Sequence, residues 1–339
     1  MNFNIAIVGA TGNVGREMLN ILSEKKYDAS KIFPVASSRS EGMEIEFGED
    51  KLIVESIEKF DPSKVELALF SAGASTSKEW APKFAKKNCI VIDNSSHFRM
   101  EEDIPLIVPE VNPSDLNNYK KRNIIANPNC STIQLVVALK PLHEISKIKK
   151  VIVSTYQSVS GAGKAGMDEL FEQTKNMFSD DIKDNVKFTK PIAFNVIPHI
   201  DKFMDDGYTK EELKMCHETK KILDDKIDLT ATCVRLPISI SHSESVNLQF
   251  EKPFTLAKVR EALNNFEGCK VIDESSDGGY VTPLEAEGKD ETFISRIRED
   301  KTIENGLNLW IVSDNLLRGA ALNAVEIAER LIKNDFYAK

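Results

Sequence analysis

The sequence predicts an α/β protein, in which a domain built on a parallel β-sheet precedes a second domain of α+β character. Up to about residue 130, short apolar runs alternate with stretches of helical periodicity. This alternation is typical of parallel strands joined by crossover helices. Beyond residue 130 the regular alternation stops. A glycine-rich turn between the first apolar run and the first helical stretch supports the same class.

The elements of the first part follow from its apolar runs. The opening run at residues 4–8 is a strand, and apolar residues recur with helical spacing from Val14 to Leu22. A second helix is expected over residues 75–87. The remaining predicted strands lie at residues 32–36, 67–70, 90–92 and 124–126.

The second part mixes longer strands with isolated helices. Thr209 and Glu212 form a candidate capping box for a helix that runs to about residue 224. Residues 179–208 carry mixed charge and weak periodicity, so we expect a long surface excursion there. Strands are predicted at residues 151–157, 245–251 and 307–312, and helices at residues 166–178 and from residue 316.

Composition excludes several classes of protein. The 339 residues carry 44 Lys and Arg against 53 Asp and Glu, and this net charge of −9 argues against nucleic acid or an anionic membrane as the main partner. No window reaches the length of a membrane span, and we see no signal peptide. The five cysteines form no Cys-x-x-Cys pair, so we expect a reducing, cytoplasmic setting, no disulfide framework and no metal site.

The glycine turn predicts a dinucleotide site. Gly9, Gly12 and Gly15 differ by one residue of spacing from the G-x-G-x-x-G fingerprint. Glycines at such a turn let the backbone approach a pyrophosphate, whose charge then meets the start of the following helix. A purely structural tight turn is the alternative.

The end of the second predicted strand favours NADP over NAD. An NAD site usually carries Asp or Glu here to bond the ribose 2′-hydroxyl, whereas this chain has Ser37, Ser38, Arg39 and Ser40. Arg39 and the neighbouring hydroxyl would bind a 2′-phosphate. The alternative is that Arg39 is a solvated loop charge.

Cys130 is the candidate nucleophile. Pro128 forces the chain out of helical geometry, and an apolar helix that we expect Pro141 to stop follows the cysteine. Cys130 therefore falls in the first turn, where unpaired N–H groups and the helix dipole favour a thiolate. A buried structural thiol is the alternative, but Asn129, Ser131 and Thr132 argue against an apolar environment.

A thiol beside a nicotinamide suggests the oxidation of an aldehyde to an acyl thioester, or the reverse, with a base to manage protons. His97, His143, His199 and His217 lack a telling neighbourhood. His242 is different, because it begins a strand and shares a loop with Arg235.

Five segments together resemble the aspartate-semialdehyde dehydrogenase family. They occur in the same order and with the same spacing as in that family, and the resemblance covers essentially the whole chain. The matching segments are Gly9–Gly15, Asn129–Thr132, Gln157–Gly163, Glu218–Lys221 and Arg235–Pro237 with His242.

This resemblance implies an enzyme that reduces aspartyl phosphate to aspartate semialdehyde and phosphate with NADPH, on the pathway to lysine, threonine, methionine and isoleucine. It implies that Cys130 forms the acyl thioester and that His242 is the acid/base group. By the same resemblance Gln157 orients the acyl intermediate, Arg235 clamps the substrate carboxylate and Glu218 binds the substrate ammonium. The residues implied for phosphate are Arg99, Lys221 and Asn129.

The resemblance also implies the cofactor contacts and the domain roles. A Rossmann-type domain over residues 1–129 would be completed by a helix at 316–339, and residues 130–315 would form a catalytic and dimerisation domain. The expected assembly is a homodimer, with a tetramer as the alternative. The shorter glycine turn and the mid-chain sequence resemble the branch of the family that is found in Gram-positive bacteria. The implied NADP contacts are Gly9, Thr11, Gly12, Asn13, Val14, Arg39, Ser40, Ser160, Gly161 and Asn315.

Two alternatives remain open. N-acetyl-γ-glutamyl-phosphate reductase shares the fold and the thiol chemistry, but its cysteine motif ordinarily reads Asn-Pro-Gly-Cys-Tyr, where this chain has Asn129 before and Ser131 after Cys130. The other alternative is a catalytically silent NADP-sensing protein on the same scaffold. A protein of that kind would not need catalytic residues, yet this chain retains Cys130, Gln157, Arg235 and His242.

Overall fold

A computed structural model describes residues 3–177 and 187–333 of the chain. The chain divides into two compact units: the first is Met1–Asn129 together with Ala320–Lys339, and the second is Cys130–Gly319. Across the described residues, no helix combines the length and the apolar character that crossing a membrane requires.

The first unit is built on a parallel sheet, as the sequence predicts. Six strands pair in the order β5-β2-β1-β6-β7-β8, all parallel, while β3 and β4 form a separate antiparallel hairpin. All five strands predicted in this part are present; the hairpin and β5 were not predicted. The strands are β1 (Ile5–Val8), β2 (Ile32–Ala36), β3 (Glu44–Phe47), β4 (Asp50–Ile53), β5 (Glu55–Ser56), β6 (Leu67–Phe70), β7 (Ile90–Asp93) and β8 (Ile124–Ala126).

The second unit holds a mixed sheet with the order β10-β9-β11-β14-β13-β12. The pairs β9–β10 and β12–β13 are parallel and the other three are antiparallel. The α/β plus α+β fold class is therefore confirmed. The strands are β9 (Ile148–Gln157), β10 (Asp228–Arg235), β11 (His242–Phe250), β12 (Cys269–Val271), β13 (Thr292–Asp300) and β14 (Gly306–Ser313).

Eight α-helices surround these sheets in the described residues. The segment predicted as a helix from residue 316 begins instead as a π-helix, Leu317–Leu322, and continues as α8. The helices are α1 (Asn13–Glu24), α2 (Ala74–Ala85), α3 (Cys130–Ile145), α4 (Lys164–Asn176), α5 (Lys210–Ile222), α6 (Leu256–Asn265), α7 (Pro283–Ala286) and α8 (Asn323–Lys333).

The capping box predicted for α5 is present. The Thr209 side chain accepts from the Glu212 backbone N–H at 3.3 Å, and the Glu212 carboxylate accepts from the Thr209 N–H at 2.7 Å. These reciprocal bonds satisfy two N–H groups that a helix start leaves without a partner. The cap fixes where the acidic first turn of α5 begins.

Pro141 does not stop α3, contrary to the prediction, because the helix runs on to Ile145. A proline inside a helix removes one N–H bond to the carbonyl four residues earlier, here that of Val137. The Cys269 thiol donates to this carbonyl at 3.5 Å and replaces the missing bond. The compensation comes from a distant part of the chain, so the local sequence gave no sign of it.

The predicted surface excursion at residues 179–208 is partly anchored. Residues 178–186 lie outside the described part of the chain, and residues 187–208 contain no helix or strand. Ile197 nevertheless exchanges two backbone hydrogen bonds with Arg235, at 2.8 and 3.0 Å, and its side chain packs with Val159 and Ile192. The described portion therefore braces the end of β10 and is not simply a surface loop.

The register of the second sheet brings three chemically active residues into one row. Gln157 is the last residue of β9, Arg235 the last of β10 and His242 the first of β11. In the ladders Gln157 pairs with both Arg235 and His242. Parallel strands end at the same edge of a sheet, and an antiparallel neighbour starts there, so the row marks that edge.

Candidate active site

The row of Arg235, Gln157 and His242 is almost completely buried. These side chains are 6%, 1% and 0% exposed, respectively. Polar side chains buried to this degree need internal partners, because they have lost their bonds to water. The contacts of each one therefore show what it is held to do.

His242 is held through its Nδ1 atom. The backbone N–H of Ser158 donates to Nδ1 at 3.1 Å, and the Ser158 hydroxyl lies 3.1 Å from the same atom. A backbone N–H can only donate, so Nδ1 is an acceptor and the neutral ring carries its proton on Nε2. Burial, and next the positive charge of Arg235, lower the pKa of His242 to about 3.

Asn315 bonds to the residue that precedes His242 and to the two serines that follow β9. Its Oδ1 accepts from the backbone N–H of Ser241 at 2.9 Å and from the hydroxyls of Ser158 and Ser160, while its Nδ2 donates to Ser160. Ser241 adopts φ +73°, a left-handed conformation that is costly for a residue with a side chain. Asn315 thus stabilises the strained residue that directly precedes His242.

Gly161 lies directly against the row. A Cβ atom at this position would lie 3.1 Å from Nη1 of Arg235 and 3.3 Å from Nε2 of His242. Both polar atoms would have to give way. A glycine therefore lets the backbone of this turn pack against these two groups.

Arg235 is a buried cation fixed from two sides. Its Nη1 donates to the Ser158 carbonyl at 2.5 Å, and its backbone pairs with Ile197. Burial lowers the pKa of Arg235, and the negative charge of Glu211 opposes that shift. Arginine side chains keep their charge in proteins, so Arg235 is a cation beside the carboxylate of Glu211.

Glu211 is a functional candidate that the sequence reasoning missed. The Gln157 side-chain amide donates from Nε2 to Glu211 Oε1 at 3.2 Å, and Thr155 donates its hydroxyl to the amide oxygen at 3.1 Å. Lys214 donates to Glu211 Oε2 at 2.9 Å and to Asp201 at 2.8 Å. A carboxylate that is only 5% exposed thus lies against the row.

The signal for Glu211 and Lys214 was present in the sequence but ambiguous. The spacing Glu-x-x-Lys occurs twice on α5, as Glu211 with Lys214 and as Glu218 with Lys221. The resemblance pointed to the second pair. Glu218 is buried but lies two helical turns, or about 10 Å, further along the axis. The structure therefore brings the first pair to Gln157.

Cys130 opens α3, as expected, and is half-buried. Gly319, in the π-helix, comes so close that a Cβ atom there would lie 2.8 Å from the Cys130 Cβ. Single-turn π-helices are frequent at functional sites, and this one was not predicted. Burial raises the pKa of the Cys216 thiol to about 11 and that of Cys89 and Cys233 still further, which suits packing and not nucleophilic attack.

The glycine turn of the first unit is tight and leads directly into α1. Gly9 has φ +92°, and a Cβ atom there would lie 2.5 Å from the Ser71 carbonyl oxygen, so only glycine is accommodated. The N–H of Gly9 donates to Val35 at the end of β2 at 2.8 Å. Gly12 occupies the cap position of α1 and has no side chain to bond the first turn. Thr11, Asn13 and Val14 are partly exposed beside it.

Arg39 and Ser40 lie on the short turn that follows β2. Arg39 is exposed, and within the described ranges its guanidinium forms no ion pair with a carboxylate. An unpaired cation at this position is available to a 2′-phosphate.

Arg99 is buried in the first unit and docks on backbone carbonyls. Its Nε donates to Asn127 O and its Nη2 to Asn94 O, both at 2.9 Å. Asn129, at the end of the first unit, is 7% exposed. Among the residues that the structure describes, no cluster of His, Cys, Asp and Glu is arranged to hold a metal ion.

Two family descriptions match the chain. The description "Semialdehyde dehydrogenase, NAD binding domain" covers residues 4–119, and "Semialdehyde dehydrogenase, dimerisation domain" covers residues 139–318. Together they span most of both units.

Relatives of known function match over nearly the full length. Aspartate-semialdehyde dehydrogenase of Aquifex aeolicus is 51% identical, over 98% of this chain and 99% of its own. The enzyme of Rickettsia bellii is 50% identical over 98% of each chain. Aspartate-semialdehyde dehydrogenase 2 of Vibrio cholerae is 47% identical over 98% and 99%. The expected likeness to the Gram-positive branch is therefore wrong, because chains of this length and sequence occur in these other bacteria.

Two solved structures superpose on this chain over nearly its full length. The aspartate semialdehyde dehydrogenase II of Vibrio cholerae, complexed with ASA, superposes with a TM-score of 0.96 at 46% identity over 99% of both chains. The enzyme of Candida albicans with NADP superposes at 0.75 with 25% identity, over 97% of this chain and 98% of its own.

The buried, neutral His242 predicts an acid-sensitive contribution to stability. Its folded pKa lies below the unfolded value of 6.5, so this contribution is complete above pH 6.5 and is lost as the pH falls toward 3. We expect wild type to lose roughly 3 kcal/mol relative to His242→Asn between pH 7 and pH 4. Urea unfolding of both proteins at several pH values measures this difference. Parallel stability curves would contradict the buried neutral ring.

Proposed function

This chain belongs to the aspartate-semialdehyde dehydrogenase family, and from this premise we propose that Cys130 carries out its reaction through an acyl thioester, with NADP as the cofactor. The reaction is the reversible conversion of L-aspartyl 4-phosphate into L-aspartate 4-semialdehyde and phosphate. The observation that carries the proposal is the buried row of Arg235, Gln157 and His242, whose chemistry matches an acyl group bearing a carboxylate.

The thiolate of Cys130 attacks the acyl carbon, the bond to the phosphate oxygen breaks, and phosphate leaves. When bound, the nicotinamide cofactor supplies the hydride that reduces the thioester. The carbon–sulfur bond then breaks, which releases the aldehyde and returns the thiolate. The first-turn N–H groups of α3 can stabilise the oxyanion of each tetrahedral stage.

His242 acts at Nε2, the ring nitrogen that lies next to Gly161 and has no hydrogen-bond partner among the described residues. In its resting form this atom donates a hydrogen bond to the oxygen on which charge develops, and acid/base exchange takes place at the same atom. Gln157 orients the acyl group, since both ends of its amide are fixed by Thr155 and Glu211.

The substrate's own charges find complementary groups. Arg235 can bind the carboxylate through its planar fork of donors. Glu218, which is 1% exposed, remains the carboxylate proposed for the substrate ammonium. Glu211 is a second buried carboxylate on α5, and its proposed role is to hold the Gln157 amide. Arg99, Lys221 and Asn129 remain the residues proposed for phosphate.

The proposed cofactor contacts fall into three groups. Gly9, Gly12 and the residues from Thr11 to Val14 would hold the pyrophosphate, and Arg39 with Ser40 the 2′-phosphate. Ser160, Gly161 and Asn315 are proposed for the nicotinamide side. The Ser160 and Asn315 side chains bond to each other and are 3% and 2% exposed, so they would offer backbone atoms.

We also propose the domain roles that the resemblance implies. The parallel-sheet domain over residues 1–129 and 316–339 binds the cofactor, and residues 130–315 form the catalytic domain and the homodimer interface, in keeping with the matched dimerisation description. All five cysteines are free, which suits a cytoplasmic enzyme of amino-acid biosynthesis.

The reaction can be tested spectrophotometrically with aspartate semialdehyde, phosphate and NADP, beside the N-acetylglutamate semialdehyde analogue. We expect phosphate-dependent NADPH formation with the first substrate only. Cys130→Ala should abolish turnover and leave NADPH binding near normal, whereas Cys89→Ala, which removes a buried packing thiol, should retain turnover. Turnover by Cys130→Ala would contradict the thioester mechanism.

The preference for NADP is tested by Arg39→Asp. Losing a charge-assisted contact costs about 1.5 to 3 kcal/mol, so NADPH affinity should fall about 10- to 100-fold while NADH affinity changes little. Lys31→Asp, which alters a cation at the other end of β2, is the matched control. Equal losses for both cofactors would show that Arg39 does not contact the 2′-phosphate.

The roles of the two Glu-x-x-Lys pairs are distinguished by Glu211→Gln and Glu218→Gln. We expect Glu218→Gln to raise the KM for aspartate semialdehyde at least tenfold, because the ammonium loses its counter-charge. Glu211→Gln keeps an acceptor for the Gln157 amide and should change this KM less than threefold. Steady-state kinetics at saturating phosphate and NADP measure both. The opposite ranking would assign the ammonium to Glu211.

A further inference from the structure

Arg99 is positioned by the ends of two neighbouring strands of the first sheet. Asn94 directly follows β7 and Asn127 directly follows β8. Their backbone carbonyls each accept one guanidinium N–H of Arg99 at 2.9 Å. These two bonds to backbone carbonyl oxygens fix the plane of the guanidinium.

The Asn127 side chain locks these two carbonyls together. Its Nδ2 donates to Asn94 Oδ1 at 2.7 Å and to the carbonyl of Ala320 at 3.2 Å. Its Oδ1 accepts from Asn323 Nδ2 at 2.5 Å. Asn323 also donates to the Ile107 carbonyl at 3.0 Å. One amide therefore ties the loop after β7, the loop after β8 and the start of α8 to one another.

Only an amide can make this set of bonds. The position needs two donors and one acceptor in a planar group, which asparagine supplies and aspartate or leucine does not. Asn127 is 0% exposed, and its amide nitrogen and oxygen are already bonded to Asn94, Ala320 and Asn323. An effect of Asn127 on binding must act through what its bonds hold in place.

We propose that Asn127 is a positioning residue for the phosphate subsite, which presents the Arg99 guanidinium in a fixed orientation through the Asn94–Asn127 cross-link. This inference rests on the proposed role of Arg99 in phosphate binding. A fixed guanidinium binds an anion more tightly than a mobile one, because less side-chain freedom is lost when the anion arrives. We therefore expect the loss of Asn127 to weaken phosphate binding and to leave the binding of the other substrates nearly unchanged.

The test measures the KM for phosphate in the direction that consumes aspartate semialdehyde and NADP. Asn127→Ala should raise this KM about tenfold, while the KM values for aspartate semialdehyde and NADP stay within twofold and kcat within threefold. Asn94→Ala removes the other end of the cross-link and should show the same selectivity, which keeps the test open if Asn127→Ala does not fold.

Asn112→Ala is the matched control. Asn112 is also buried in the first unit, where it accepts from Val108 N at 3.0 Å and donates to Leu106 O at 2.9 Å. Its loss should lower the midpoint of thermal unfolding comparably and leave the KM for phosphate unchanged. If Asn127→Ala acted only by a general loosening of the unit, the KM for phosphate would rise equally in Asn127→Ala and Asn112→Ala, which would contradict the positioning role.

A double-mutant cycle separates this inference from the role of Arg99 itself. If Asn127 acts through Arg99, the variant with both Arg99→Ala and Asn127→Ala has the same KM for phosphate as Arg99→Ala alone. If the KM increases of the two single variants multiply in the double variant, or if Asn127→Ala raises the KM for all three substrates equally, the positioning role of Asn127 is overturned. The proposed role of Arg99 in phosphate binding would then stand unchanged. An unchanged KM for phosphate in Arg99→Ala would instead overturn the proposed role of Arg99.

Discussion

The burial of ionisable side chains at one edge of the mixed sheet is the constraint on which the rest of the structure depends. Arg235, Glu211 and His242 are each at most 6% exposed. A buried charge is tolerated only where an opposite charge or several hydrogen bonds compensate for lost hydration. The Ser158 carbonyl, the Gln157 amide and Lys214 supply that compensation. The same contacts fix the orientation of the groups that we propose to bind the substrate.

Neutral polar groups do much of this orienting. Asn315 holds the strained Ser241 and the serines behind His242, and Asn127 holds the carbonyls that carry Arg99. Asparagine suits both places because its amide donates and accepts without adding charge beside a cation or an imidazole. The chain is acidic overall, at −9, while the cations proposed for substrate and phosphate lie in buried or partly buried positions.

Local signals in the sequence were sufficient for much of the fold and for part of the site. The glycine turn, the strands of the parallel sheet, the Thr209 capping box and the place of Cys130 at a helix start all depend on residues close together in the chain. The Val137 carbonyl, which Pro141 leaves without its helical hydrogen bond, accepts instead from Cys269, more than a hundred residues away. Gly319 against Cys130 and Glu211 against Gln157 also arise from tertiary contacts.

The central claim is that Cys130 forms a covalent acyl intermediate. The most direct measurement is mass spectrometry of the protein after incubation with aspartyl phosphate in the absence of nicotinamide cofactor, followed by rapid acid quenching and digestion. The account predicts one aspartyl group in thioester linkage on the peptide that contains Cys130, and its absence from Cys130→Ala. An adduct on another cysteine, or turnover without any adduct on Cys130, would contradict it.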